Sequence, residues 1–196
     1  FVGGSFSVFD DFKQGKLAKI STIGELDSGY LTAGVGFDKA VEKVIPLVDG
    51  SYIAFGGFSQ FNGKLINRIA KLTINGELDS SFNFNQTGAN NTVKEVLVQP
   101  DGKLLVAGNF TNYNGVDIKR LVRMNFNGSI DTSLNVGTGF NYMVYSIVLL
   151  PNGEIIAAGN FTTYKGVAVN KVIRLLPNGD LDPNFNIGTN PDGTPN

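Results

Sequence analysis

Four pairs of oppositely charged residues are the sequence feature with the clearest chemical potential. In each pair a base precedes an Asp by eight residues, across an Asn-Gly- or Ile-Gly-type turn. This spacing predicts cross-strand neighbours in a hairpin, and we interpret them as partly shielded ion pairs that hold strand register. The alternative is a ring of ligand contacts. The pairs are Lys19/Asp27, Lys71/Asp79, Arg123/Asp131 and Arg174/Asp182.

A second recurring group places an aromatic residue just before a polar residue, in a loop that follows a predicted strand. An aromatic ring beside an amide or an amine on an exposed loop could stack on a sugar. It could equally be a plug that packs over the edge of a sheet. The candidate ligand-binding residues are Phe61, Asn62, Tyr113, Asn114, Tyr164 and Lys165.

Several reaction types are excluded by composition. The 196 residues include no Cys and no His, so a thiolate nucleophile, a Ser-His-Asp triad and the usual zinc sites are ruled out. Glu42, Glu95 and Glu154 occupy different positions in the repeat described below, so no carboxylate pair with a glycosidase separation is predicted. We therefore predict a protein that is not an enzyme, with no catalytic residues and no cofactor.

Asp-Gly and Asn-Gly dipeptides raise the question of calcium. A calcium loop needs several closely spaced oxygen ligands, and no loop here has that spacing. We interpret the dipeptides as turns and predict no metal site. A weakly held cation stays open only for segments 10–15 and 189–193.

The charge balance and the apolar pattern limit the partners. With 16 Lys and Arg against 17 Asp and Glu, the net charge is −1, which gives no basic footprint for nucleic acid. Apolar runs are only a few residues long, so neither a signal peptide nor membrane insertion is predicted.

The sequence contains an internal repeat. Three sets of markers recur at steps of 52, 52 and 51 residues. They are a Phe (Phe6, Phe58, Phe110, Phe161), the bases of the charge pairs, and a Gly at the start of each Gly-x-Leu/Ile-Asp motif (Gly24, Gly76, Gly128, Gly179). A fixed period of this length is typical of propellers and related repeat proteins.

Each repeat reads as four short antiparallel strands. In the third repeat, 93–98 and 104–110 form a hairpin, 119–124 is a third strand and 129–131 begins a fourth. The first three are apolar at most positions, so both faces must be covered. We predict an all-β β-propeller built from four-stranded blades of about 52 residues; a β-solenoid is the less favoured alternative.

The predicted blades leave two possibilities: four blades that form a small ring, or a piece of a larger propeller, which explains both ends of the chain better. The chain starts inside a strand, which predicts a partial blade lacking its first strand and a piece of a larger propeller. Further blades of the same chain are then partners. The segments are a partial blade at 1–39, blades at 40–91, 92–141 and 142–190, and a tail or linker at 191–196.

The residues of one blade resemble a known family. Segment 98–111, with Tyr113-Asn114-Gly115 and segments 120–125 and 127–131, is similar to the delta-60 repeat, a bacterial β-propeller family of uncharacterised function. The resemblance covers essentially the whole chain; the main departure is Asp11, where the other blades have Gly63, Gly115 and Gly166. It implies large secreted or surface-exposed bacterial proteins, and similar repeats occur in phage structural proteins.

These observations lead to three functional hypotheses. The first is a non-enzymatic scaffold that presents protein or glycan contacts, as in adhesion, on an extracellular or cell-surface bacterial protein. The second is a structural or receptor-contact domain of a phage tail-type assembly. The third is a non-catalytic part of a larger propeller enzyme.

Overall fold

The computed structural model describes residues 1–27, 30, 36–83 and 87–185. The predicted tail 191–196 and the end of the last predicted blade lie outside them. The chain divides into two units, Phe1–Thr92 and Val93–Asn196, which we call the N-terminal and C-terminal units.

The described part of the N-terminal unit contains nine antiparallel strands. The sheet order β5-β6-β9 forms the blade predicted at 40–91, and β1 pairs with β4 in the partial blade. The strands are β1 (Val2–Gly3), β2 (Val8–Phe9), β3 (Phe12–Lys13), β4 (Leu17–Ala18), β5 (Val41–Pro46), β6 (Tyr52–Gly56), β7 (Gln60–Phe61), β8 (Lys64–Leu65) and β9 (Ile69–Leu72).

The described part of the C-terminal unit contains eight strands in two blades. Their sheet orders are β10-β11-β12 and β13-β14-β17. The strands are β10 (Val93–Val98), β11 (Leu104–Gly108), β12 (Leu121–Met124), β13 (Val144–Leu149), β14 (Ile155–Gly159), β15 (Thr163–Tyr164), β16 (Val167–Ala168) and β17 (Val172–Leu175).

The central strand of a blade is buried on both faces, as its apolar run predicts. Every residue of β11 is buried. Leu105 and Ala107, on one face of β11, share a core with Val144 and Ile155 of the following blade. Burying an aliphatic side chain of this size stabilises the fold by about 2 kcal/mol, so the packing of sheet on sheet is a major source of stability.

The fourth strand of each blade is shorter than the repeat pattern predicts. It pairs with the third strand through a single bridge rather than a ladder. The bridges are Ile20–Leu26, Leu72–Leu78, Met124–Ile130 and Leu175–Leu181. The tight turn before each bridge still brings the base and the Asp of a charge pair to adjacent positions.

A β-bulge recurs where the first strand of a complete blade meets the second. The register shifts between Val41 and Lys43, and again between Val144 and Ser146. The second strand ends there in glycine, because a Cβ on Gly159 would lie 2.1 Å from the carbonyl oxygen of Met143. Glycine is therefore required by the close approach of two backbones.

A small hairpin joins the second and third strands and positions the candidate aromatic residues. Its two central residues adopt positive φ, as in a type I′ turn: 49° and 77° at Asn62 and Gly63. Asp10 and Asp11 adopt 49° and 62°. The partial blade thus keeps the turn without glycine, because Asp tolerates the left-handed region better than most residues do.

Candidate functional site

Each of the four charge pairs lies within ion-pair distance. The nitrogen–oxygen distances are 3.1 Å for Lys19–Asp27, 3.6 Å for Lys71–Asp79, 2.8 Å for Arg123–Asp131 and 2.6 Å for Arg174–Asp182. In every pair the backbone N–H of the Asp also donates to the carbonyl of the base. The turn between the two residues therefore fixes the contact that the eight-residue spacing predicts.

The Asp of a pair uses its two carboxylate oxygens for different purposes. Oδ2 of Asp131 binds Arg123, while Oδ1 accepts from the backbone N–H of Ser133 at 3.0 Å and from its hydroxyl at 2.7 Å. Asp79 caps Ser81 in the same way, with its Oδ1 3.0 Å from the backbone nitrogen. The residue therefore joins a cross-strand ion pair to an Asx turn, a role that the charge spacing alone does not reveal.

A third charged residue joins the pair in each of the three complete blades, and its sign differs. We call the three residues the charge cluster of a blade. Its members are Asp49, Lys71 and Asp79 in the blade at 40–91, Lys103, Arg123 and Asp131 in the next, and Glu154, Arg174 and Asp182 in the last.

The charge clusters favour the ionised acids. Burial alone would raise the pKa of Asp131, but hydrogen bonds from Lys103, Ser133 and Arg123 outweigh it and hold that pKa well below the usual range. The pKa of Asp79 is likewise lowered, since donors from Ser81 and the charge of Lys71 overcome the effect of burial. Acids with such low pKa values are poor proton donors near neutral pH.

The rings considered for sugar stacking are buried. Phe61, Tyr113 and Tyr164 are exposed by 2%, 0% and 1%. The ring of Tyr164 packs 4.6 Å from that of Phe140, and its hydroxyl donates to the carbonyl of Gly179 at 2.6 Å. This geometry corresponds to the plug alternative and leaves no ring face open to a sugar.

The polar neighbours of these rings have contacts within the protein. Asn62 Oδ1 accepts from the backbone N–H of Gly36 at 2.7 Å. Asn114 Nδ2 lies 3.5 Å from the carbonyl of Gly128. Lys165 pairs with Asp180 at 2.8 Å. These three side chains therefore stabilise the hairpin through contacts within the protein, and they do not present it to a ligand.

A further recurring position went unnoticed in the sequence. Asp38 Oδ1 accepts from the backbone N–H groups of Ser59 and Gln60 at 2.7 and 2.9 Å. Asn141 makes the same contacts with Thr162 and Thr163 at 2.9 and 3.0 Å. The signal was available, because these caps are two repeats apart and each follows a Gly-Phe dipeptide.

Neither an acidic metal-binding cluster nor a membrane-spanning helix is present in the described ranges. They contain no cluster of three or more acidic residues that could hold a metal ion, which includes segment 10–15; segment 189–193 lies outside them. No helix in this part of the chain is long and apolar enough to cross a bilayer. In the N-terminal unit, a pocket of about 320 Å³ lies beside β9, where Lys71 and Asp79 at its wall already pair with each other.

Comparison with known families identifies the repeat. Residues 49–82, 99–134 and 150–185 each match the family described as a domain of unknown function (DUF5122) beta-propeller. The chain belongs to this family. The three matches cover more than half of the residues, and each falls within one of the three complete blades. The β-propeller fold predicted from the repeat is therefore confirmed. The resemblance to a bacterial propeller repeat of unknown function is confirmed as well. No curated protein matches the chain.

Proposed function

We propose that this β-propeller repeat chain is a non-enzymatic scaffold that presents binding surfaces on an extracellular or cell-surface bacterial protein. The observation that supports it is the use of the repeated polar groups. The Asp of each complete blade binds a base and accepts the hydrogen bond of an Asx turn, and the loop aromatics are buried in the core. Because the repeated residues stabilise the fold, we assign ligand recognition to the residues that differ between blades.

The exposed hairpins are one place where the blades differ. The hairpin between the second and third strands carries an exposed apolar residue in each blade, which is Phe, Leu or Val. These are Phe12, Leu65, Val116 and Val167, exposed by 51%, 79%, 49% and 56%. A rigid frame with variable exposed side chains suits a display role because little conformational entropy is lost on binding.

A binding screen tests this proposal. The chain is applied to arrays of immobilised glycans and extracellular proteins, together with Asp131→Asn, which retains an oxygen for the Asx turn but loses the charge. We expect the same bound set for both proteins, with lower stability for the variant. Absence of binding across both arrays, or hydrolysis of a bound glycan, would overturn the proposal.

A further inference from the structure

Two exposed tyrosines distinguish the last blade from the other complete blades. Tyr142 and Tyr145 are 59% and 46% exposed. The repeat does not require aromatic residues there, because the equivalent positions are Lys39 and Glu42 in one blade and Asn91 and Lys94 in the next. Exposed aromatic side chains without a role in the core are typical of contact surfaces.

The backbone that carries Tyr142 is anchored through the two residues that precede it. Its neighbour Asn141 accepts hydrogen bonds from the backbone of Thr162 and Thr163, and Asn141 Nδ2 donates to the Thr162 hydroxyl at 2.9 Å. Phe140, one residue earlier, is completely buried. Tyr142 therefore projects from an ordered segment, and binding would immobilise little besides its ring.

Tyr145 lies on the β-bulge, next to an exposed amide. Asn160 Nδ2 donates to the Tyr145 hydroxyl at 2.9 Å, and the backbone N–H of Asn160 donates to the Met143 carbonyl at 3.0 Å. These two bonds place Asn160 beside the segment that carries both tyrosines. Asn109 and Gly57 occupy its position in the other complete blades, where no tyrosine is present at the bulge.

A cationic group lies on the Tyr142 side. Arg120 Nη1 donates to the Phe140 carbonyl at 2.9 Å, which anchors the guanidinium two residues before Tyr142. Burial lowers the pKa of Arg120, and its interaction with Tyr142 acts in the opposite direction. Arg120 therefore adds hydrogen-bond donors near Tyr142.

We propose that Tyr142, Tyr145 and Asn160 form a binding site for a pyranose sugar. A pyranose has an apolar C–H face, which suits the electron-rich face of a tyrosine, and a rim of hydroxyl groups, which suits the carboxamide of Asn160 and the guanidinium of Arg120. A sugar fits better than an apolar peptide because each ring has a polar side chain beside it, Asn160 at Tyr145 and Arg120 next to Tyr142. This site rests on the proposed display function and names its ligand class.

Titration with soluble oligosaccharides tests the site. Hexamers of β-linked glucose, β-linked N-acetylglucosamine and α-linked mannose serve as probes, and tyrosine fluorescence reports binding because the chain has no Trp. For at least one probe we expect Tyr142→Ala and Tyr145→Ala each to weaken binding about tenfold, as is typical of aromatic contacts at the centre of a site. Tyr145→Phe keeps the ring and should weaken binding only about threefold, by the loss of one hydrogen bond.

Phe126→Ala provides the matched control, because it removes another exposed ring, 39% exposed, from the turn after the third strand of the preceding blade. It should leave sugar affinity unchanged, and thermal unfolding should show that every variant is folded. Sugar binding that survives both tyrosine substitutions would overturn this site and leave the display function standing.

The same variants are applied to the glycan and protein arrays, so that the ligand class is tested separately from the surface. Binding to an arrayed protein that is abolished by Tyr142→Ala and Tyr145→Ala, without any sugar binding, would overturn the sugar assignment and reassign the surface to a protein partner. Absence of all binding would overturn both proposals.

Discussion

The charge clusters of the two blades in the C-terminal unit have opposite compositions at the same place in the repeat. In the first, Asp131 lies between two cations, 2.9 Å from Lys103 and 2.8 Å from Arg123. In the second, Arg174 lies between two anions, 2.6 Å from Asp182 and 3.3 Å from Glu154. The sign of the third charge is therefore free to change while the central pair stays.

The comparison separates what the fold needs from what it tolerates. Both blades keep the base on the third strand, the Asp after the turn and the cap on the residue two positions later. Both also end the second strand in glycine at the bulge. The third charge and the exposed residues near the bulge differ. We expect substitutions at the shared positions to lower the free energy of unfolding far more than substitutions at the variable positions.

Gly159→Ala should have the largest effect. Its Cβ would lie 2.1 Å from the Met143 carbonyl oxygen and 2.9 Å from the Val144 Cα, both backbone atoms that cannot rotate away. We expect a loss of about 4 kcal/mol in the free energy of unfolding, above the usual range for overpacking because a backbone must move. Urea denaturation followed by circular dichroism measures it.

Gly57→Ala is the control for that substitution. Nothing lies within 4 Å of the Cβ that it would add, and its φ is not positive. The other complete blades already carry Asn109 and Asn160 at this position. We expect a change of less than about 0.5 kcal/mol, as for ordinary surface substitutions. Equal losses for the two variants would contradict the role of the bulge.

Asp131→Ala should rank second. It removes the anion that lies between Lys103 and Arg123, leaving Lys103 only the more distant Asp101 at 3.8 Å, and it removes the acceptor for Ser133. Because the side chain is only 11% exposed, we expect a loss of about 3 kcal/mol, the range for breaking a shielded pair. A change in the urea midpoint as small as that of a surface substitution would show that the pair has no structural role.

Asp131→Asn separates the charge from the cap. The amide oxygen still accepts from Ser133, so at neutral pH we expect a loss of about 1.5 kcal/mol, smaller than for Ala. The folded-state pKa of Asp131 lies below the unfolded value of about 3.9, so its stabilising contribution is present above pH 4 and is lost as the pH falls further.

The variant should therefore lose less stability than the wild type between pH 5 and pH 3, and the two curves should converge. Thermal unfolding across that interval measures the difference. Parallel curves would mean that Asp131 contributes no pH-dependent stability. The other aspartates with lowered pKa values should account for the acid sensitivity that the variant retains; they are Asp38, Asp49, Asp79, Asp180 and Asp182.

Much of the fold could be predicted because equivalent residues recur in every repeat. The 52-residue step placed the Phe, the base and the Asp at equivalent positions, and the turn chemistry between Arg123 and Asp131 placed the pair across a hairpin. Local rules of this kind need no knowledge of distant packing. The second use of Asp131, as the acceptor for Ser133, was missed because many residues two positions beyond an Asp could form such a turn.

What depends on packing between sheets could not be predicted. Tyr113 and Tyr164 follow the pattern of exposed loop residues, and only the three-dimensional arrangement of the hairpin shows that they are buried. The third member of each charge cluster was missed for the same reason. Lys103 and Glu154 lie at equivalent positions directly before the second strand, yet they carry opposite charges and contact different members of the pair.

Glu154→Gln should have the smallest effect of the substitutions in the charge clusters, and it tests the comparison most directly. Arg174 keeps Asp182, its closer partner, and the glutamine retains an oxygen that can accept a hydrogen bond. With Glu154 and Arg174 exposed by 17% and 27%, we expect a loss of about 0.5 kcal/mol, close to that of other accessible ion pairs. Lys103→Gln, the matched change in the other blade, should cost a similar amount by the same urea assay. If Glu154→Gln were as destabilising as Asp131→Ala, the fold would require the third charge as much as it requires the central pair. The distinction between shared and variable positions would then fail at this site.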